Sequence, residues 1–406
     1  MSVNLKAPSV LHPIIGIRLG AAAAGIKNPG RRDLVIIEIC EGASVAAVFT
    51  QNAFCAAPVT VARAHLSSAP PRLLLINTGN ANAGTGTQGL RDAHSCCDAL
   101  ARLAGCSEQE VLPFSTGVIG EPLPVARIVE GLPAAYADLS VTGWYDAAHG
   151  IMTTDTTAKG ASRQVEIMGT LVTVTGIAKG SGMIRPDMAT MLAYIATDAA
   201  ISRDVLQQCL NEAVKVSFNR ISVDGDTSTN DACVLIATGQ STFALIDSTA
   251  HPAYGDLLRV ITEVCVELAQ AIVRDGEGAT KFITLEISSG ASEAECDAVA
   301  YSIAHSPLVK TAFFASDPNW GRILAAIGRS GVAGLDIEGI TLHLDDVCIV
   351  RNGARAPDYT EQQGQQVMRR ADITIKVDLG RGTHGTIVWT CDFSYDYVRI
   401  NAEYRT

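Results

Sequence analysis

The sequence predicts an α/β protein. Over the first 280 residues, short β-branched runs alternate with segments whose apolar residues recur at helical spacing. From about residue 281 the texture changes to several short strands around one helix, which predicts a small α+β domain from about residue 285. The 406 residues are 48% apolar and 18% charged, enough for a large core, and the length suggests two or three domains.

The elements follow in order. RRDLVIIEIC and SVAAVFT read as a hairpin across the intervening EGA turn, and RLLLIN as a short buried strand. GLRDAHSCCDALARLAG places Leu90, Cys97, Leu100 and Leu103 at helical spacing, with Gly105 as the stop. Ser107 and Glu110 have capping-box spacing, but Pro113 follows too soon for a full helix. RQVEIMG and TLVTVTGIA form a second hairpin. MLAYIAT reads as a buried strand, SRDVLQQCLNEAVKVSF as a helix with Ser202 at its N-cap, and DACVLIATG as a strand. AYGDLLRVITEVCVELAQAIV is the longest helix. KFITLEISS, a helical AECDAVAYSIAHS, and the strands ITLHLDD, VCIVRNG, ADITIKVDL, GTIVWTC and YVRINAEY complete the chain.

Composition excludes several classes of function. The formal net charge of −11 argues against nucleic acid or an anionic membrane as a main partner. No apolar run approaches the ~20 residues of a membrane helix, and MSVNLKAPSVLHP lacks the pattern of a signal or transit peptide. Eleven cysteines without a CxxC read as reduced, mostly buried thiols of a cytoplasmic protein. Eight histidines, no two at i, i+4 spacing, predict no metal site.

GTGTQG, Gly84 to Gly89, matches the spacing of a dinucleotide loop and lies between a strand and a helix. Six residues separate the strand from Gly84, however, and no acidic residue ends a second strand about twenty residues on. A plain loop, or one shaping another pocket, fits better. Neither a Walker A sequence nor GxSxG occurs. STGVIGE, 115–121, reads as a glycine-containing turn with exposed backbone N–H groups.

The stretch KGSGMIRPDMATMLAYIATDA places Thr190 where a glycine-rich loop enters a strand. A threonine hydroxyl is a weak nucleophile without an adjacent base, and a free α-amino group of pKa about 7.7–8 is such a base. Thr190 therefore makes chemical sense as a nucleophile if the Ala189–Thr190 peptide is cut; otherwise it is an ordinary polar residue at a strand start.

Blocks along nearly the whole chain resemble the ornithine acetyltransferase family, the ArgJ-type enzymes of arginine biosynthesis. They are NTGNANAGTGTQG (77–89), STGVIGE, MTTDT (152–156), KGSGMIRPDMATML, SVDGDTSTND (222–231), RDGEGATKF (274–282) and SDPNWGRILAAIG (316–328), in the expected order. The resemblance implies a four-layer α/β sandwich similar to N-terminal-nucleophile hydrolases. It implies self-cleavage between Ala189 and Thr190 into an α chain, 1–189, and a β chain, 190–406, assembled as α2β2. It further implies acetyl transfer from N-acetylornithine to glutamate through acetyl-Thr190. Acetyl-CoA is a possible second donor, and no cofactor is required.

The same resemblance makes Thr116 and Gly117 the oxyanion hole. Thr153, Lys179, Thr190, Glu277, Asn401 and Thr406 become substrate contacts. Two positions depart from the pattern: Asp187 stands where Asn is associated with the family, and Gly84 where Cys is frequent. The rival readings are a self-processing aminopeptidase or amidase of similar fold, and a nucleotide-binding regulator using Gly84 to Gly89.

Overall fold

Two β-sheets lie face to face, each covered on its outer side by helices, so most of their strands are buried on both faces. The structure is a computed structural model that describes residues 2–8, 10–185, 191–242 and 244–402. The first part contains β1 (Ile17–Ala22), β2 (Leu34–Ile39), β3 (Ser44–Phe49), α1 (Ala57–Ser68), β4 (Leu73–Asn80), α2 (Gly86–Ala104), β5 (Val111–Val118), α3 (Val125–Ala137), α4 (Trp144–Gly150), β6 (Lys159–Ile167) and β7 (Thr170–Lys179). Next come β8 (Leu192–Thr197), α5 (Arg203–Lys215), β9 (Ile221–Ser222), β10 (Ala232–Ala237), α6 (Tyr254–Arg274) and β11 (Phe282–Gly290). The remainder is α7 (Glu293–Ala304), α8 (Pro307–Phe314), α9 (Trp320–Gly328), β12 (Thr341–Leu344), β13 (Val347–Arg351), β14 (Ala354–Arg355), α10 (Glu361–Met368), β15 (Asp372–Asp378), β16 (His384–Cys391) and α11 (Tyr395–Ala402).

The first sheet has the order β1-β2-β4-β5 and the second β3-β10-β8-β7-β6. Their facing sides share one core, in which Leu19, Ile37, Ile76 and Phe114 meet Ile177, Tyr194, Val234 and Ile236. The alternate residues of the first sheet, among them Leu34, Ile36, Leu73 and Leu75, pack on Cys97, Leu100, Ile128 and Leu132 of α2 and α3. Those of the second sheet, such as Val174, Ile195 and Leu235, pack on Leu206, Leu210, Val264 and Leu268 of α5 and α6. Helix, sheet, sheet, helix is the four-layer order expected, and it explains the unbroken apolar runs. A third sheet, β14-β13-β12-β15-β11-β16-β9, carries α7 to α10 over its own core.

Several local expectations hold. β6 and β7 pair antiparallel as a hairpin, and α6 is the 21-residue helix. Gly105 ends α2 at φ +70, where its N–H reaches Ala101 O. Ser107 and Glu110 do form a capping box, around a single 3-10 turn at Glu108–Glu110. Ser202 sits at the N-cap of α5 in extended conformation, without a side-chain bond to the helix.

Three readings are corrected. β2 and β3 are not a hairpin: the chain between them crosses from one sheet to the other, with β2 between β1 and β4 and β3 beside β10. Strands buried on both faces have no polar side to reveal which sheet they join. The segment YVRINAEY is not a strand, because Tyr395–Ala402 is helical. Ser394 Oγ accepts the Asp396 amide at 3.2 Å and opens a helical turn. Finally, Ser115 to Val118 lie in β5 and are not part of a turn.

Candidate active site

The site begins where β4 and β5 run side by side. Their parallel register sets Thr78 beside Thr116 and Gly79 beside Gly117, with an irregularity at Asn80. Gly117 has φ +136, and a Cβ there would collide with the Gly79 backbone, so no other residue fits. Asparagines fix this segment. Asn77 Oδ1 accepts Ser115 Oγ at 2.6 Å, and Asn230 Nδ2 donates to Ala81 O and Ser115 O at 2.5 and 3.0 Å. The Gly84 to Gly89 stretch is taken up by its own bonds. Thr85 Oγ1 donates to Asn82 Oδ1 at 2.8 Å and Asn82 Nδ2 to Gly89 O at 2.9 Å, which opens α2.

A buried charge cluster holds the next wall. Lys159, its side chain 0% exposed, donates to Asp155 Oδ1 at 2.6 Å and Asp275 Oδ2 at 2.7 Å. Asp155 also accepts the amides of Thr153 at 2.9 Å and Gly180 at 2.7 Å, tying the MTTDT segment to the end of β7. Burial alone would raise the Asp155 pKa. The charges of Lys159 and Lys179, with the bonds from Lys159 and Thr153, outweigh it and hold the carboxyl well below its usual range. Asp275 accepts the Thr156 amide at 2.9 Å, so one cluster positions both residues 152–157 and the turn that carries Glu277.

These walls line a cavity of about 210 Å³. Thr116, Gly117, Thr153, Lys179, Glu277 and Asn401 all line it, although they come from five separate stretches of chain. Lys179 is 9% exposed and donates to Thr116 Oγ1 at 3.2 Å, which leaves the threonine hydrogen to point elsewhere. Burial lowers the Lys179 pKa, and the charges of Asp155 and Asp231 oppose that shift. Glu277 accepts Asn401 Nδ2 at 2.8 Å. Gly182 makes room for this carboxylate: a Cβ there would stand 2.5 Å from Glu277.

A smaller adjoining hollow is lined by Thr116, Lys179, Met191, Leu192 and Asp231. Burial pushes the Asp231 carboxyl well above its ordinary pKa, against the pull of Lys179. Ala189, Thr190 and Thr406 lie outside the described residues. Met191, the next residue after Thr190, stands at the edge of this hollow. The start of β8 thus lies beside the cavity.

Comparison with known proteins decides the family. Residues 18–406 match the ArgJ family. The chain belongs to the ArgJ family. The arginine biosynthesis bifunctional protein ArgJ of Pseudomonas fluorescens is 57% identical over 406 residues, all of both chains, and that of Pseudomonas syringae pv. tomato is 57% identical over the same span. Among solved structures, an arginine biosynthesis bifunctional protein from Bacillus halodurans is 39% identical, with a TM-score of 0.49. It covers 50% of this chain and 95% of that one.

For a member of the ArgJ family, the motif blocks named the cavity wall but missed what holds it. Lys159 and Asp275 do not line the cavity and look, singly, like solvated charges. A lysine four residues after Asp155, at the start of the β6–β7 hairpin, was the available signal. Asn230 was hidden inside SVDGDTSTND, where its clamp on Ala81 and Ser115 is visible only in three dimensions.

Proposed function

We propose that this ArgJ-family chain transfers acetyl from N-acetyl-L-ornithine to L-glutamate through an ester on Thr190, and that acetyl-CoA is a second acetyl donor. The observation that carries the reading is the convergence of Thr116, Gly117, Thr153, Lys179, Glu277 and Asn401 on one cavity beside the strand that follows Thr190. Cleavage after Ala189 gives chains of 189 and 406 − 189 = 217 residues and frees the Thr190 α-amine. That amine takes the hydroxyl proton as Oγ1 bonds to the acetyl carbon. The Thr116 hydroxyl and the Gly117 amide receive the developing oxyanion, a contribution of about 3–4 kcal/mol per donor in such sites. The C–N bond breaks, ornithine leaves with the proton, and the glutamate amine then attacks the ester to give N-acetylglutamate.

Lys179 holds the substrate α-carboxylate, Glu277 and Asn401 hold its ammonium group, and Thr153 and Thr406 complete the contacts. The two chains assemble as α2β2. The free thiols of all eleven cysteines fit a reducing cytoplasm, where we place the enzyme; among the described residues no helix is long and apolar enough to cross a membrane.

Thr190→Ala is the direct test. The purified wild type runs as two fragments, the larger beginning TMLAYIA, and shows one acetyl group on that fragment after mixing with N-acetylornithine alone. The variant runs as one chain and transfers nothing. An active enzyme whose Thr190→Ala variant still splits at 189/190 refutes the assignment, and hydrolysis outrunning transfer to glutamate would place the chain with the self-processing aminopeptidases.

A further inference from the structure

A second cavity, about 110 Å³, adjoins the first, and Gly117, Thr153 and Thr154 line both. Its outer wall is the loop of residues 24–33. Asp33 shapes that loop by accepting the Ala24 and Ile26 amides at 2.6 Å each. Gly79, at φ +96, lets the loop lie against β4, because a Cβ there would stand 2.8 Å from Lys27 Cβ.

The charge on this wall is one-sided. Lys27 and Arg31 line the cavity. Arg31 donates to the carbonyls of Met152 and Thr153, from 2.6 to 3.2 Å, and Arg127 braces the loop by donating to Gly25 O at 2.6 Å. Asp33 is the one carboxylate in the lining, and both of its oxygens are already bonded to backbone amides. Among the described residues no carboxylate lies within ion-pair distance of Lys27, Arg31 or Arg127, while the chain as a whole has a formal charge of −11.

The donor N-acetylornithine finds partners for both of its charged ends in the first cavity, at Lys179 and Glu277. The Lys27 cavity is therefore matched to a ligand that brings further anionic groups to the same oxyanion segment. We infer that it is an anion subsite for the phosphate-bearing arm of an acyl thioester, acetyl-CoA in the proposed reaction; this rests on the acetyl-transfer reading. The thioester carbonyl reaches Gly117 from this side. Thr190 Oγ1 bonds to the acetyl carbon, the C–S bond breaks, and the thiol leaves with the proton that the α-amine had taken. Arg and Lys are the side chains that bind phosphate best, and an unpaired lysine is free to do so.

The test compares acetyl-CoA with acetyl-pantetheine, the same thioester without the phosphates. Wild-type enzyme is expected to favour acetyl-CoA in kcat/KM, with a preference that falls as salt rises. Lys27→Glu is expected to lower the ratio of the two kcat/KM values about tenfold or more, with Tm as the check on folding. A ratio unchanged in Lys27→Glu, a wild type indifferent to the phosphates, or one that uses neither thioester overturns the subsite. So does a variant whose KM rises for glutamate instead, which would make the occupant the acceptor's carboxylate. Transfer from N-acetylornithine, measured on the same wild-type protein, stands or falls separately. Failure of the subsite is thereby distinguished from failure of the acetyl-transfer reading.

Discussion

Gly182 has no side chain because Glu277 occupies the space a methyl group would need. Gly182→Ala therefore pushes the Glu277 carboxylate away from Asn401 Nδ2, and kcat/KM for N-acetylornithine should fall about tenfold or more. Wild-type kinetics in that variant would show that Glu277 does not meet substrate. Lys179 makes a second prediction, in pH. Burial favours its neutral form, so the ammonium is lost below the pH at which an ordinary lysine deprotonates. If that ammonium holds the α-carboxylate, kcat/KM falls on the alkaline side earlier than pH 10.5. Lys179→Met lowers activity and flattens the limb; an unchanged alkaline limb in Lys179→Met would remove the residue from this role. At this scale the motif blocks went far, because identity alone flags a nucleophile or a glycine. They could not reveal Lys159, whose meaning lies in two aspartates 4 and 116 residues away in sequence.

The C-terminal helix α11 has no buried residue of its own, so little apolar packing holds it. Its attachment is polar and local: Ser394 Oγ donates to Gly278 O at 2.6 Å, Phe393 stacks on Tyr397, and Asn401 reaches Glu277. The links from Ser394 and Asn401 both end in the turn that carries Glu277. Deleting residues 401–406 should leave self-cleavage intact and reduce kcat/KM for N-acetylornithine at least tenfold, through one or two lost charge-assisted hydrogen bonds of ~1.5–3 kcal/mol each. Two fragments on a gel with full-length transfer rates would make the tail an ordinary frayed end. Reading this segment as a strand had a physical cause. Val398, Ile400 and Ala402 alternate at period two, and eight residues are too few for the helical period to compete.

In the whole molecule, the proposed cut does not divide the structure into separable bodies. The second sheet draws β3, β7 and β6 from residues before 189 and β8 and β10 from residues after it. β8 pairs with β7 on one side, and β10 pairs with β3 on the other. Cleaved fragments should therefore co-elute on size exclusion in native buffer and separate only in denaturant. Spontaneous separation of the two chains would contradict the pairing. The layered α/β class was legible from alternation and apolar content, since those follow from each strand's own residues. Which strand joins which sheet was not. β2 and β3 are equally apolar on both faces, and their neighbours lie up to 193 residues away in the chain.

That interleaving sets an order of events during synthesis. A ribosome delivers β3 first and then β6 and β7, yet the two places between β3 and β7 in the sheet stay empty until residues 192–237 have emerged. The growing polypeptide thus carries the unpaired apolar edge of β3 from residue 49 until residue 237 has emerged, and that of β7 until β8 follows, a stage at which it depends on being shielded from its neighbours. Position 190 precedes the strands that close the gap. Its cavity wall includes Asn230, Glu277 and Asn401, so the pocket is complete only after almost the whole chain has been made. If Thr190 is the proposed nucleophile and is unmasked by its finished surroundings, it cannot act on a half-built protein, and the timing needs no second protein to enforce it.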